Sequence, residues 1–174
     1  MGKRSRDAPV PSSRILVLGY GNPGRHDDGL GPAAAEAIER RGFAGVQASA
    51  NYQLVIEDAS DAAGCDAVIF IDAAKVGPEP FSVAPVYPAN DVACFVSHFV
   101  SPELILGISG RVFGHVPRAW LIGIRGYEFG LHEGLTRRAR KNLDLALSHI
   151  CDSMLGAAHA AHVMVELPSL SGKP

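Results

Sequence analysis

Three short apolar runs stand out along the chain, each closed by a glycine or a charge. Arg14-Ile-Leu-Val-Leu-Gly19, Ala67-Val-Ile-Phe-Ile-Asp72 and Ala119-Trp-Leu-Ile-Gly-Ile124 have no polar alternation. Runs of this kind predict strands buried on both faces, as in a parallel sheet. Between them the period changes to that of helices. Ala33 to Arg41 alternates alanine, isoleucine and charge after Pro32 and stops at Gly42. Leu54 to Ala63 reads as a second helix closed by Gly64. Ser101-Pro102-Glu103 reads as a cap followed by a first-position proline, opening a helix that runs to about Phe113. Leu135 to about Leu155 is a long final helix. Val46 to Ala50 is a short strand, and Phe81 to Tyr87 alternates around Pro85, which places it at a sheet edge.

Strands alternating with helices predict an α/β protein, a three-layer α/β/α sandwich around a mainly parallel central sheet of about five strands. No repeat or linker divides it. The expected organisation is one domain over residues 14–157, with flexible tails at 1–13 and 158–174. In open sheets of this class the site lies beyond the carboxyl ends of the strands. That selects the loop after Leu18, the segment after Ile71 and the loop after Ile124.

Composition narrows the partners. Sixteen Lys and Arg against eighteen Asp and Glu leave a formal charge of −2, so nothing favours nucleic acid. The short basic cluster Lys3-Arg4-Ser5-Arg6 reads as a solvated terminus. No apolar run is long enough to span a membrane, and Cys65, Cys94 and Cys151 show no metal or disulfide spacing. A cytoplasmic protein is expected, with a monomer favoured.

Candidate chemistry concentrates in LGYGNPGRHDDGLG, residues 18–31. Its glycines fit a dinucleotide turn. Three features oppose that reading. The second strand ends in Ala-Ser-Ala-Asn-Tyr, without the acid that grips ribose. Pro23 removes an amide donor. Asp27 and Asp28 stand where phosphate would meet the helix amides; unit charges ~4 Å apart at an effective dielectric of about 20 repel by about 4 kcal/mol. The aspartates instead suit a cation. One satisfies a helix start as cap or loop-former, the role read for Asp27, and Asp28 is left as a ligand. Asp72 sits at a core boundary on the same sheet end, where a carboxylate needs a partner, and reads either as a helix cap or turn residue or as a second ligand. Among seven histidines, His149, His159 and His162 read as surface, His115 and His132 as loop residues without a clear acidic companion at ligand spacing, and His26, which borders Asp27, as an exposed loop residue or a ligand. His98 stands in the apolar CFVSHFVSPE stretch as either a core residue or a third ligand. Two Asp and one His would make an open three-ligand set for a divalent ion. No GxSxG elbow or paired Cys nucleophile competes.

With these residues in view, the chain resembles the nickel-iron hydrogenase maturation endopeptidases over about residues 14–155. The resemblance rests on Gly19-x-Gly21-Asn22-Pro23-x-x-x-Asp27-Asp28-Gly29-x-Gly31, on Tyr52-Gln53-Leu54, on VIFIDAA at 68–74 and on SHFVSPELIL at 97–106. Where many members continue after the histidine with Leu-Gly-Leu, this chain has Phe99-Val100-Ser101-Pro102. The resemblance implies Asp28, Asp72 and His98 as the metal-contacting and catalytic residues. Gly21, Asn22, Asp27 and Gly29 are expected to shape a loop against the substrate, with Asn22 either bonding loop backbone or positioning substrate. It implies a nickel ion brought by the substrate, no nucleotide, and one partner, the hydrogenase large-subunit precursor, whose C-terminal extension is removed after nickel insertion. A nucleotide-binding oxidoreductase and a non-enzymatic nickel chaperone are the rival classes.

Overall fold

The computed structural model describes residues 14–90 and 100–155. His98 and Cys94, as well as both tails, lie outside the described residues. Five strands form one sheet: β1 (Ile15–Tyr20), β2 (Val46–Asn51), β3 (Ala67–Ala74), β4 (Phe81–Val86) and β5 (Arg118–Arg125). Their order is β2-β1-β3-β5-β4. The first four in that order run parallel, and β4 pairs antiparallel with β5. Four helices accompany them: α1 (Leu30–Arg41), α2 (Asp58–Ala63), α3 (Pro102–Phe113) and α4 (Arg137–His149).

The unbroken apolar runs are explained by the two layers. Ile15, Val17, Ile69, Ile71, Ile122 and Ile124 pack on one face with residues of α1 and α4. Leu16, Leu18, Val68 and Phe70 pack on the other with residues of α2 and α3. Successive side chains alternate between faces, so a strand covered on both sides must be apolar throughout. Each fully buried Leu or Ile contributes about 1.5–3 kcal/mol of burial free energy. β4 is the exception, an edge strand that carries Pro85 and leaves Val83 40% exposed.

Several boundaries differ from the sequence pattern. Leu54 is buried, but the helix after it begins only at Asp58. Asp72 does not end β3. The strand continues through Ala73 and Ala74, paired with Ile124 and Arg125 of β5, because that neighbour is equally long. The final helix begins at Arg137, capped by the Thr136 hydroxyl, and widens into a π-helical turn over Ile150–Leu155. The start of α3 follows the pattern: Ser101 accepts from the Leu104 amide at 3.3 Å and Pro102 opens the helix.

The order of the sheet decides where a site can form. From β1 the chain passes through α1 to β2 on one side, then returns through α2 to β3 on the other. The carboxyl ends of β1 and β3 therefore flank a topological switch point, where the connections diverge and leave a crevice.

Candidate active site

The residues of the 21–29 loop and the end of β3 meet at that crevice. Asp27 and Asp28 lie in a short 3-10 turn, His26–Gly29, that leads into α1. Neither caps α1 through its side chain; Gly29 is the N-cap residue. The two carboxylates go to opposite tasks.

Asp27 is fully buried. One oxygen accepts from the Tyr127 amide at 2.8 Å, the Glu128 amide at 3.1 Å and the Thr136 hydroxyl at 2.9 Å. The other accepts from the Thr136 amide at 2.7 Å. Burial works against the charged form, but the amides of Thr136, Tyr127 and Glu128 and the Thr136 hydroxyl outweigh it and hold the pKa below 3.8. Asp27 thus ties the long β5–α4 loop to the β1–α1 loop. Its role as a loop-former extends to a second loop, a hundred or more residues away, and it spends its lone pairs there rather than on a ligand. The same seam carries His26, whose amide donates to the His132 carbonyl at 2.7 Å and whose ring stacks on that of His132, 4.4 Å between centroids. Glu128 stands 3.7 Å from His26 Nε2, an acidic companion that spacing in the chain does not reveal.

Asp28 is half-buried and accepts from the Asn22 amide at 3.0 Å. Asn22 in turn accepts from the Gly24 amide at 2.9 Å, closing the turn on itself. The glycines have steric reasons. Gly21 has φ 138°, and a Cβ there would collide with the Asp28 carbonyl oxygen. A Cβ on Gly31 would run into the carbonyl oxygens of Tyr20 and Ile71. The motif glycines therefore let α1 sit against β1 and β3, which brings Asp28 towards Asp72.

Asp72 is half-buried on the opposite wall, with Oδ1 accepting from the Ala73 amide at 2.7 Å. Burial pushes its carboxyl up to about 6; the Ala73 amide opposes this, the Asp28 charge adds to it, and the Tyr20 hydroxyl opposes it. Tyr20 ends β1, one position beyond the Gly19↔Ile71 pair, and so lies beside Asp72 across the two strands. Its own pKa is raised by burial, by Asp72 and by Glu103. Tyr20 is a site neighbour that the sequence pattern does not single out, since only strand register places it there.

Two carboxylates close enough for the charge of one to raise the pKa of the other repel, and a divalent cation between them would remove the repulsion. That donor set fits a hard or borderline dication. Among the described residues no cluster of three or more His, Cys, Asp or Glu side chains is placed to hold a metal ion. The third expected ligand, His98, lies outside them. The remaining described histidines are engaged elsewhere: His115 Nε2 is 3.0 Å from the Cys65 carbonyl, and His149 is tilted against Phe81. Half-buried His149 is therefore less exposed than its sequence position suggests.

This architecture is that of the hydrogenase maturation proteases. The chain is similar to NiFe hydrogenase maturation protease HycI from Thermococcus kodakarensis KOD1, with 22% identity over 80% of this chain and 91% of that one, at a TM-score of 0.64. It is similar to the hydrogenase maturating endopeptidase HybD from E. coli, with 24% identity over 83% and 93% of the two chains, at a TM-score of 0.62. A hydrogenase 2 maturation peptidase from Thaumarchaeota archaeon SCGC_AB-539-E09 matches over 82% and 98% with 21% identity and a TM-score of 0.59. No protein-family model and no curated protein matches the sequence. Among the described residues no helix is long and apolar enough to cross a membrane.

Proposed function

We propose that the protein is an endopeptidase that removes the C-terminal extension of a nickel-iron hydrogenase large-subunit precursor after nickel insertion. The observation that carries this reading is the pair Asp28 and Asp72, facing each other at the switch point of a fold shared with hydrogenase maturation proteases. The nickel belongs to the substrate. Asp28 and Asp72, with His98, are the residues that would meet it, and a loaded precursor would thereby be distinguished from an empty one. In the free enzyme the carboxylates repel; the arriving dication relieves that repulsion, so recognition draws on charge already stored in the site.

Peptide hydrolysis then needs a water deprotonated near the scissile carbonyl. In the free enzyme the Asp72 carboxyl is lifted to about 6; the dication of a loaded precursor favours its ionised form, the form able to accept a proton. In this reading Asp72 takes the proton as the water oxygen bonds to the carbonyl carbon. It returns the proton to the leaving amine as the carbon–nitrogen bond breaks. Asn22 and the glycine turn hold Asp28 in register, and Asp27 anchors the surrounding loops.

The test is incubation of the purified protein with nickel-loaded and nickel-free precursor of a candidate large subunit. Shortening of the loaded form alone, lost in Asp28→Asn, Asp72→Asn and His98→Gln, is expected. A folded protein that binds loaded precursor and leaves its length unchanged would instead be a nickel or precursor chaperone.

A further inference from the structure

A second concavity lies at the opposite end of the sheet from Asp28 and Asp72. It is a groove of about 540 Å³ walled by Ile69, Val83, Trp120 and Met154, with Asp66, Arg118 and His149 also lining it. Ile15, Ala67 and Arg118, the first residues of β1, β3 and β5, define this end. The groove lies beside the π-helical turn Ile150–Leu155 that follows α4; Val83 is left 40% exposed and Trp120 partly so.

The chain itself leads into it. Ser153 and Met154 are part of the wall, and Leu155 is buried beside them. The next residues in sequence are Gly-Ala-Ala-His-Ala-Ala-His-Val-Met-Val-Glu-Leu, 156–167, in which Glu166 is the sole Asp, Glu, Lys or Arg. Four connecting residues, 156–159, reach up to about 13 Å when extended, enough to cross from the wall to the floor of such a groove. Tethering sets an effective concentration of order mM, which a free partner does not match. Exposed Arg118 offers a cation for Glu166, with exposed Asp66 lining the same groove.

We propose that this groove is the docking surface for the chain's own residues 160–167, with Val163, Val165 and Leu167 covering the Trp120 and Val83 surface. The inference is independent of the catalytic reading.

Trp120 is the single tryptophan of the chain, so its fluorescence reports on the groove alone. Three proteins are compared: the full chain, a chain ending at Leu155, and the full chain carrying Val163→Asp and Val165→Asp. The shortened chain and the double variant are expected to emit at longer wavelength and to be quenched more strongly by acrylamide than the full chain. Far-UV circular dichroism should be unchanged, and synthetic peptide 156–174 should reverse the change in the shortened chain. If the shortened chain does not fold, the double variant decides. Equal emission and quenching in the full chain and the double variant would overturn the proposal. So would Trp120 protection that depends on protein concentration, which would make the occupant a second copy.

Discussion

Replacing Asp72 by Asn should make the protein more stable at neutral pH while abolishing its proposed activity. Asn keeps the shape of the carboxylate, can still accept from the Ala73 amide, and can still pair with the Tyr20 hydroxyl. What it removes is a charge that burial and Asp28 disfavour. The carboxyl rises from 3.8 to about 6 on folding. Each pKa unit corresponds to about 1.4 kcal/mol, so the charged form costs the native state about 2–3 kcal/mol once partial solvation is allowed for. The sign follows from proton binding. Between pH 3.8 and 6 the folded chain holds a proton on Asp72 that the unfolded chain has released, so wild-type stability falls as pH rises through that window. Above it the penalty is complete, and below it the penalty vanishes. For a chain of this size 1 kcal/mol moves Tm by about 2–4 °C. Thermal melts followed by circular dichroism should therefore show Asp72→Asn melting several degrees above wild type at pH 7.5, with the gap closing by pH 3.5. Carboxylates remote from the Asp28–Asp72 pair titrate alike in both proteins and cancel in the difference. Equal melting temperatures at pH 7.5, or a gap that persists unchanged at pH 3.5, would refute the reasoning that Asp72 is a charge held at a cost.

Asp27 should behave in the opposite way. Asp27→Ala strands three partly buried amides and a hydroxyl and should cost about 3–5 kcal/mol in urea unfolding, with the β5–α4 loop becoming accessible to protease. Because its native pKa is depressed, its contribution is present above pH 3.8 and is lost as pH falls through the lower native value, so the cost of the substitution should shrink in acid. Tyr20→Phe removes the hydroxyl that lowers the Asp72 pKa, so the acid limb of precursor cleavage should move to higher pH with the fold intact; a profile superimposable on wild type would contradict that contact.

The two adjacent aspartates show how far the primary structure reaches. Their position after a buried strand and before a helix is legible because apolar runs, Pro32 and Gly42 mark those elements without reference to anything distant. Their division of labour has a local part as well, since a single acid suffices for the loop. The partners of Asp27 are another matter. Tyr127, Glu128 and Thr136 belong to a loop a hundred or more residues on, and nothing in their spacing points back to residue 27. The same holds for Tyr20, which reads as the last apolar residue of a strand and becomes a neighbour of Asp72 only through the β1–β3 register.

The sequence by itself determined the elements, the parallel core and the end of the sheet at which chemistry is possible, because hydrophobic period and turn residues are properties of neighbouring positions. Only the tertiary structure decided that β1 and β3 flank the switch point, that Asp27 is spent on hydrogen bonds, and that Asp72 is raised to about 6. Burial, strand order and the approach of like charges arise between segments distant in the chain, and they exist once the chain is packed.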